Sequence, residues 1–245
     1  MSWIAISNII FVNIIVLLGL SYFWSGWNYK VFKPWLWLEY RKRKQLQKDI
    51  ESIERKTEDK NRFYANWFIL EQIDANHIPG DIVIVGSENV DLAVTINRHS
   101  PDRNLHIIDL FENHQVEIVR ENCQGEVSRQ SIDIKGVDIE KYKEAINSTE
   151  NVNFIKGIIH EEIEKINFPV SFASIDSVDY DDVITSLIRI YPLLSEGGII
   201  SVHDYNHNWD SVRSAINKFE AGIPENFIWY PDMYGSVILI KNKRK

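Results

Sequence analysis

Three rhythms of apolar and polar residues divide the chain. Residues 3–24, WIAISNIIFVNIIVLLGLSYFW, contain no charged side chain, and about 20 apolar residues suffice to cross a bilayer core. From residue 38 to 76 the pattern is helical and highly charged, with no Gly or Pro after Pro34. It predicts a stalk helix broken near KTEDKN, then a more apolar helix through FYANWFILEQI. After Pro79-Gly80 short apolar runs alternate with helical stretches. The runs DIVIVG, LHIIDLF, VNFIKGII, VSFASID and IISVHDY read as strands. DLAVTINRH, DDVITSLIRIYPLL and DSVRSAINKF read as helices. Strands alternating with helices predict an α/β fold, a doubly wound and mostly parallel sheet covered on both faces. The last two runs, NFIWYP and GSVILIK, are too close for a helical crossover and predict an antiparallel hairpin at the sheet edge.

The first rhythm predicts a transmembrane anchor over residues 1–25. A cleavable signal peptide normally has a basic start and a small-residue cleavage site; here no Lys or Arg precedes the apolar run, and bulky aromatics follow it. Trp24, Trp27, Tyr29, Phe32, Trp35, Trp37 and Tyr40 suit an interfacial aromatic belt, followed by Arg41-Lys42-Arg43-Lys44. Basic residues flanking a span are retained in the cytoplasm and attract anionic headgroups. The expectation is a single-pass cell-membrane protein in three parts. Residues 1–25 are the anchor, 26–62 a basic aromatic juxtamembrane segment and stalk, and 63–245 a cytoplasmic domain.

Charge sharpens this division. Of 27 Lys/Arg and 35 Asp/Glu, residues 1–48 hold seven and one, which leaves residues 49–245 at −14. A body so acidic is repelled by phosphate backbones, which excludes nucleic acid as a partner. Cys123 is the only cysteine, so disulfide scaffolds and cysteine-rich metal sites are excluded.

In a doubly wound sheet, ligands bind at the carboxyl ends of the strands. Gly86 closes the first predicted strand and Asp109 the second, where an acid can bind both ribose hydroxyls of an adenosine-bearing ligand. The helix after Gly86 opens with Ser87, Glu88 and Asp91. Carboxylates there satisfy the helix dipole and repel a pyrophosphate, which disfavours a dinucleotide. S-adenosylmethionine, cationic and free of phosphate, is compatible with them. Ser87 and Glu88 read equally well as N-terminal capping residues. Asp176 ends the fourth strand in SIDSVDYDD, and His203-Asp204 end the fifth in SVHDY. Two carboxylates and an imidazole on adjacent strand ends suit a divalent cation. Asp179, Asp181 and Asp182 read as the capped first turn of the next helix. His207 follows in a polar loop, either as a general base or as a histidine without a role.

The segments IPGDIVIVG, IIDLFE, FIKGII, IDSVDY, YPLLSEGGIISVHDY and AINKF occur in the order and spacing of the macrocin O-methyltransferase (TylF-type) group of class I methyltransferases. The resemblance spans residues 64–219 and is most specific over 176–205. It implies a Rossmann-like fold that uses S-adenosylmethionine and a divalent metal, Mg²⁺ by expectation, to methylate hydroxyls, often on sugars. Carried over, Asp176, His203 and Asp204 hold the metal, with His203 in place of the first acid of a pair. The ribose-binding acid falls on Asp109, beside Phe111. Ile84, Val90 and Asp91 depart from the family's opening motif, which has an acid at the first position and glycines at the others. Glu88 could supply the missing charge.

The expected function is a membrane-anchored, metal-assisted O-methyltransferase. Gly86, Glu88, Asp109, Phe111 and Asp176 would bind the cofactor, and Asp176 or His207 would take the proton. The expected acceptor is a hydroxyl of a small-molecule or lipid-linked glycan precursor. The alternative is a catalytically inactive methyltransferase-like interaction module at the membrane.

Overall fold

The structure is a computed structural model that describes residues 11–20, 53–57, 59–86, 90–121, 127–146, 149–206 and 210–242. The chain divides into two compact units, residues 1–47 and 48–245. In the first, residues 11–20 are helical and expose Phe11, Leu17 and Leu18. Ten residues rise only about 15 Å. No helix among the described residues is long and apolar enough to cross a membrane. The rest of the expected 3–24 span lies outside the described residues.

The second unit is built on a seven-stranded sheet. Its strands are β1 (Asp81–Val85), β2 (Leu105–Asp109), β5 (Val152–Lys156), β6 (Val170–Ile175), β7 (Leu194–Val202), β8 (Ile228–Tyr230) and β9 (Ser236–Ile240). They lie in the order β5-β2-β1-β6-β7-β9-β8. The first five are parallel, and β9 pairs antiparallel with both β7 and β8. This is the mostly parallel sheet with the antiparallel edge hairpin that the pattern predicts. β6 is buried at all six positions, as a parallel strand covered on both faces must be. That is why its sequence is a continuous run rather than an alternation.

From β1 the chain builds outward to β2 and β5, then returns to add β6 and β7 on the other side. The switch therefore falls between β1 and β6, where open α/β sheets bind ligands. Backbone bonds carry the ladder one residue past the strands. Gly86 N–H donates to Ile108 O (3.0 Å), Asp176 N–H to Val85 O (2.8 Å) and His203 N–H to Ile175 O (2.9 Å). Gly86, Asp176 and His203 are thereby held level along one edge.

An additional antiparallel hairpin, β3 (His114–Glu121) with β4 (Val127–Ile134), forms a separate two-stranded sheet. It was not expected from the sequence. The segment is polar at most positions and interrupts the β2-to-β5 crossover, where a helix alone is the usual connection.

The helices are α1 (Lys60–Ala75), α2 (Val90–His99), α3 (Ile139–Ala145), α4 (Ile159–Glu162), α5 (Tyr180–Leu193) and α6 (Asp210–Glu220). α1 corresponds to the more apolar half of the expected stalk. Asp59 caps it, accepting from Arg62 N–H at 3.0 Å, a cap worth about 1 kcal/mol. Phe63, Trp67, Leu70 and Ile73 recur at helical spacing and are buried, in contact with α2, β6 and β7. The second Asp59 oxygen accepts from Met233 N–H at 2.7 Å, which ties the start of α1 to the β8–β9 turn.

Leu70 is fully buried and Phe68 is 41% exposed on the same helix. Leu70→Ala is expected to lower stability by about 2–5 kcal/mol, and Phe68→Ala by less than about 1 kcal/mol. Urea denaturation of the two variants would separate them; equal losses would refute this docking face of α1.

Candidate active site

The ends of β6 and β7 and the β8–β9 turn bring three carboxylates together, and one guanidinium lies among them. Arg62, one turn into α1, spends each arm of its fork on a different acid. Nη1 donates to Asp176 Oδ2 (3.2 Å), Nη2 to Asp204 Oδ1 (3.1 Å) and Nε to Asp232 Oδ2 (3.5 Å). The Arg62 side chain is 12% exposed, those of Asp176 and Asp204 are 15% and 20%, and that of Asp232 is fully buried. Burial disfavours the charge on Arg62, but the three carboxylates outweigh it and raise its pKa above the ordinary arginine value. The guanidinium is thus a permanent cation.

Two of the carboxylates are raised as well, which for an acid favours the neutral form. Burial, and then the neighbouring Asp176, push Asp204 up to about 7 against the pull of Arg62. Asp176 is also raised, mainly by burial, with Arg62 opposing. Like charges packed this closely titrate as a set. Asp204 has a φ of +62°, a left-handed backbone that costs a non-glycine residue roughly 1 kcal/mol. Strain of this kind gathers at functional sites.

His203 turns away from this cluster. Ser236 Oγ–H donates to Asp232 Oδ2, so Ser236 Oγ must accept from His203 Nδ1–H (2.8 Å). Nε2 then carries the lone pair and accepts from Ser174 Oγ–H (2.9 Å). Both ring nitrogens are occupied, the residue is 1% exposed, and burial followed by the nearby Arg62 charge lowers its pKa well below 6.5. The imidazole is a neutral core residue.

The acid cluster opens into a cleft of about 360 Å³ whose lining includes Thr57, Asp59, Arg62, Asp91, Thr95, Asp176, Asp204, Met233 and Tyr234. Asp91 also accepts from Thr57 Oγ1 (3.3 Å). Met233 and Tyr234 come from the YPDMYG segment.

Next to this edge lie the residues expected to meet a cofactor. Gly86 has a φ of +86°, and a Cβ there would lie 2.0 Å from the Asp176 carbonyl oxygen. The space left by its missing side chain belongs to the β6 backbone. Asp109 ends β2, buried, and its Oδ1 accepts from Phe111 N–H at 2.7 Å. That bond holds Phe111 at φ +54°, where its ring meets Tyr142 and Phe154 edge-on. Ile84 is buried in β1, and Val90 and Asp91 begin α2. Glu88 and His207 lie outside the described residues.

Asp179 caps α5 as expected, accepting from the N–H groups of Asp181 (2.8 Å) and Asp182 (3.1 Å). Asp182 accepts from His160 Nδ1–H at 2.9 Å, a bond that raises the His160 pKa. His160, Asp179 and Asp182 have ligand atoms close enough to share an ion. Cap and ion-pair bonds already account for their proximity.

A family model described as Macrocin-O-methyltransferase (TylF) matches residues 38–229. The chain belongs to the macrocin O-methyltransferase (TylF) family. It falls thereby among the S-adenosylmethionine-dependent O-methyltransferases. Solved structures agree in fold. The O-methyltransferase NovP superposes with a TM-score of 0.61 at 17% identity, over 75% of this chain and 81% of its own. CalS11, a calicheamicin methyltransferase, gives 0.58 at 16%, over 72% and 77%. The SAH-bound Podospora anserina methyltransferase PaMTH1 gives 0.52 at 14%, over 82% and 88%. None of the curated proteins matches the chain.

A divalent ion does not fit the TylF-family position as its donors stand. Asp176 and Asp204 direct oxygens at Arg62, and neither His203 nitrogen is free. Sequence reasoning missed Arg62 and Asp232. The first sits in a charged stretch that reads as stalk, and the second in a turn that reads as loop. The signals available were a basic residue one turn into an apolar helix and an acid between Pro231 and Met233.

Asp204 also makes stability depend on pH. Its folded pKa lies above the unfolded value near 4, so the native state keeps a proton that the unfolded chain releases. The resulting stability is present below pH 4 and is lost as pH rises through 7. Asp204→Asn should abolish this loss. Relative to the parent, the variant should gain on the order of 2–4 kcal/mol between pH 4 and pH 8. Chemical denaturation across that range tests the point, and a constant difference would mean that folding does not raise the Asp204 pKa.

Proposed function

We propose that this chain transfers a methyl group from S-adenosylmethionine to a hydroxyl of a sugar or glycan precursor. The observation that carries the reading is the TylF-family match over residues 38–229, which takes in Arg62, Asp176 and Asp204 of the acid-lined cleft. The sugar class is supported by CalS11, described as a TDP-rhamnose 3′-O-methyltransferase. The cleft suits the cofactor electrostatically. Asp59, Asp91, Asp176 and Asp204 line it with only Lys56 and Arg62 in opposition, a setting that attracts a sulfonium and repels a pyrophosphate.

When bound, S-adenosylmethionine would supply an electrophilic methyl group on sulfur. This chain's residues would do the rest. Asp109 would accept from the ribose hydroxyls, with Phe111 held beside it. Asp204, partly ionised near neutral pH, would take the acceptor's proton, with Asp176 the second carboxylate in reach. Such positioned proton transfer contributes about 10²–10⁴-fold. Met233 and Tyr234 would contact the acceptor. Glu88 and His207 keep the cofactor-side and general-base roles proposed from sequence.

We assign residues 3–24 to a single-pass membrane anchor with the acidic domain on the cytoplasmic side. The charge-free run, the basic segment after it and the exposed apolar side chains of residues 11–20 support this. The full chain should resist alkaline carbonate extraction from membranes, whereas a chain beginning at Lys48 should be released. Release of both would refute the anchor.

Calorimetric titration of the purified full-length chain with S-adenosylmethionine tests the activity reading, and one binding site is expected. Asp109→Asn keeps an oxygen for Phe111 N–H but loses a charged acceptor, so affinity should fall by about tenfold to a hundredfold. Absence of binding by the parent chain would leave the non-catalytic module as the better description.

A further inference from the structure

We infer that Arg62 is a built-in cation of the active site. It stands where a divalent ion would sit between Asp176 and Asp204 and keeps such an ion out. The inference rests on the methyl-transfer reading only for what that cation does to an acceptor; occupancy of the site can be measured without turnover.

Four observations converge. The three nitrogens of the Arg62 fork each meet a separate carboxylate, on β6, β7 and the β8–β9 turn. That is the convergence expected of ligands around one metal, with a guanidinium at the centre. The imidazole next to Asp204 is withdrawn, its two nitrogens engaged by Ser174 and Ser236. The backbone of Arg62 is placed independently of the three clustered acids, because its own N–H bonds the Asp59 cap while Asp59 holds the Met233 backbone. The flanking Phe63 is buried, and the Arg62 side chain is itself only 12% exposed. Finally, the cage keeps spare acceptors: Asp232 Oδ1 is buried with no partner among the described residues.

A guanidinium and a small divalent cation cannot share these oxygens. Mg²⁺ requires near-octahedral ligands at about 2.0–2.1 Å, and the like charges would repel at contact distance. Arginine cannot neutralise itself to relieve the conflict. Arg62 therefore supplies the fixed positive charge that orders the two carboxylates and faces an incoming hydroxyl. Unlike a metal, it has no open coordination position, so the acceptor is held by hydrogen bonds rather than by ligation.

The test is Mn²⁺ binding to the full-length protein, read by electron paramagnetic resonance and by thermal melting. The parent chain should take up no Mn²⁺ at this site and show no shift in Tm with added Mn²⁺ or Mg²⁺. Arg62→Gln, a neutral side chain still able to donate to one acid, should lower Tm and bind one Mn²⁺ at least about tenfold more tightly than the parent, because it leaves the buried carboxylates uncompensated. Added Mn²⁺ should then restore much of the lost Tm. Arg62→Lys keeps a charge but not the fork, and should bind Mn²⁺ less tightly than Arg62→Gln; equal binding by the two would overturn the inference. Adding Asp204→Asn to Arg62→Gln should remove the gain, which locates the ion here and not at His160 and Asp182. Tight Mn²⁺ binding by the parent, unchanged in Arg62→Gln, would overturn the inference. So would a folded Arg62→Gln that gains no Mn²⁺ affinity. Failure of the parent to bind S-adenosylmethionine would sink the methyl-transfer reading and leave the Mn²⁺ result intact.

Discussion

Three aspartates gathered at one buried point must be neutralised, and much of the second unit's arrangement follows from how that is done. Asp176, Asp204 and Asp232 come from three separate places on one sheet edge, and left alone they would repel one another. Arg62 satisfies them from the opposite side of the cleft. For this it must arrive at the right height, which requires α1 to dock through Phe63, Trp67 and Leu70 and to begin at Asp59. The helix before the first strand is therefore part of the site. The price of the arrangement is a strained backbone at Asp204 and a carboxylate oxygen on Asp232 without a partner among the described residues. Buried ion clusters seldom repay their desolvation in stability, so this one is better understood as a device that fixes geometry and charge.

The hydrogen-bonded line from Ser174 through His203 and Ser236 to Asp232 extends that device into the core. Each member's proton is dictated by the next: a carboxylate oxygen of Asp232 orients a serine, the serine sets the imidazole tautomer, and the imidazole orients a second serine. The chain of donors ends against Arg62. The acid cluster is thus hydrogen-bonded to the sheet beneath it through Ser174, His203 and Ser236.

Most of the sheet was legible in the sequence because parallel strands covered on both faces leave little choice. Runs such as DIVIV and VSFASI cannot be anything but buried, and their spacing sets the crossovers. Asp176 and Asp204 were legible for the same reason, since they follow β6 and β7 within two residues and their place is fixed once the strands are. The side chains of Arg62 and His203 were not. An arginine in KTEDKNRFY resembles every other charge in a stalk, and only the fold carries it to acids more than a hundred residues away. His203 is one residue from Asp204, yet its ring points into the core, and only the two serines it meets there reveal this. The β3–β4 hairpin escaped for a third reason. Its residues are mostly polar, and it stands inside a crossover where a helix is the usual connection.

Gly86 teaches something about reading such chains. The turn it occupies is where a cofactor loop is sought, and a lone glycine there invites the view that a ligand once needed the room. In this molecule the room is filled by the carbonyl of Asp176, so the position is closed to every other amino acid by the sheet's own joinery. The architecture demands glycine at position 86 whether or not a cofactor passes over its backbone. A descendant that had lost all use for S-adenosylmethionine would still keep this glycine for as long as its two central strands stayed side by side.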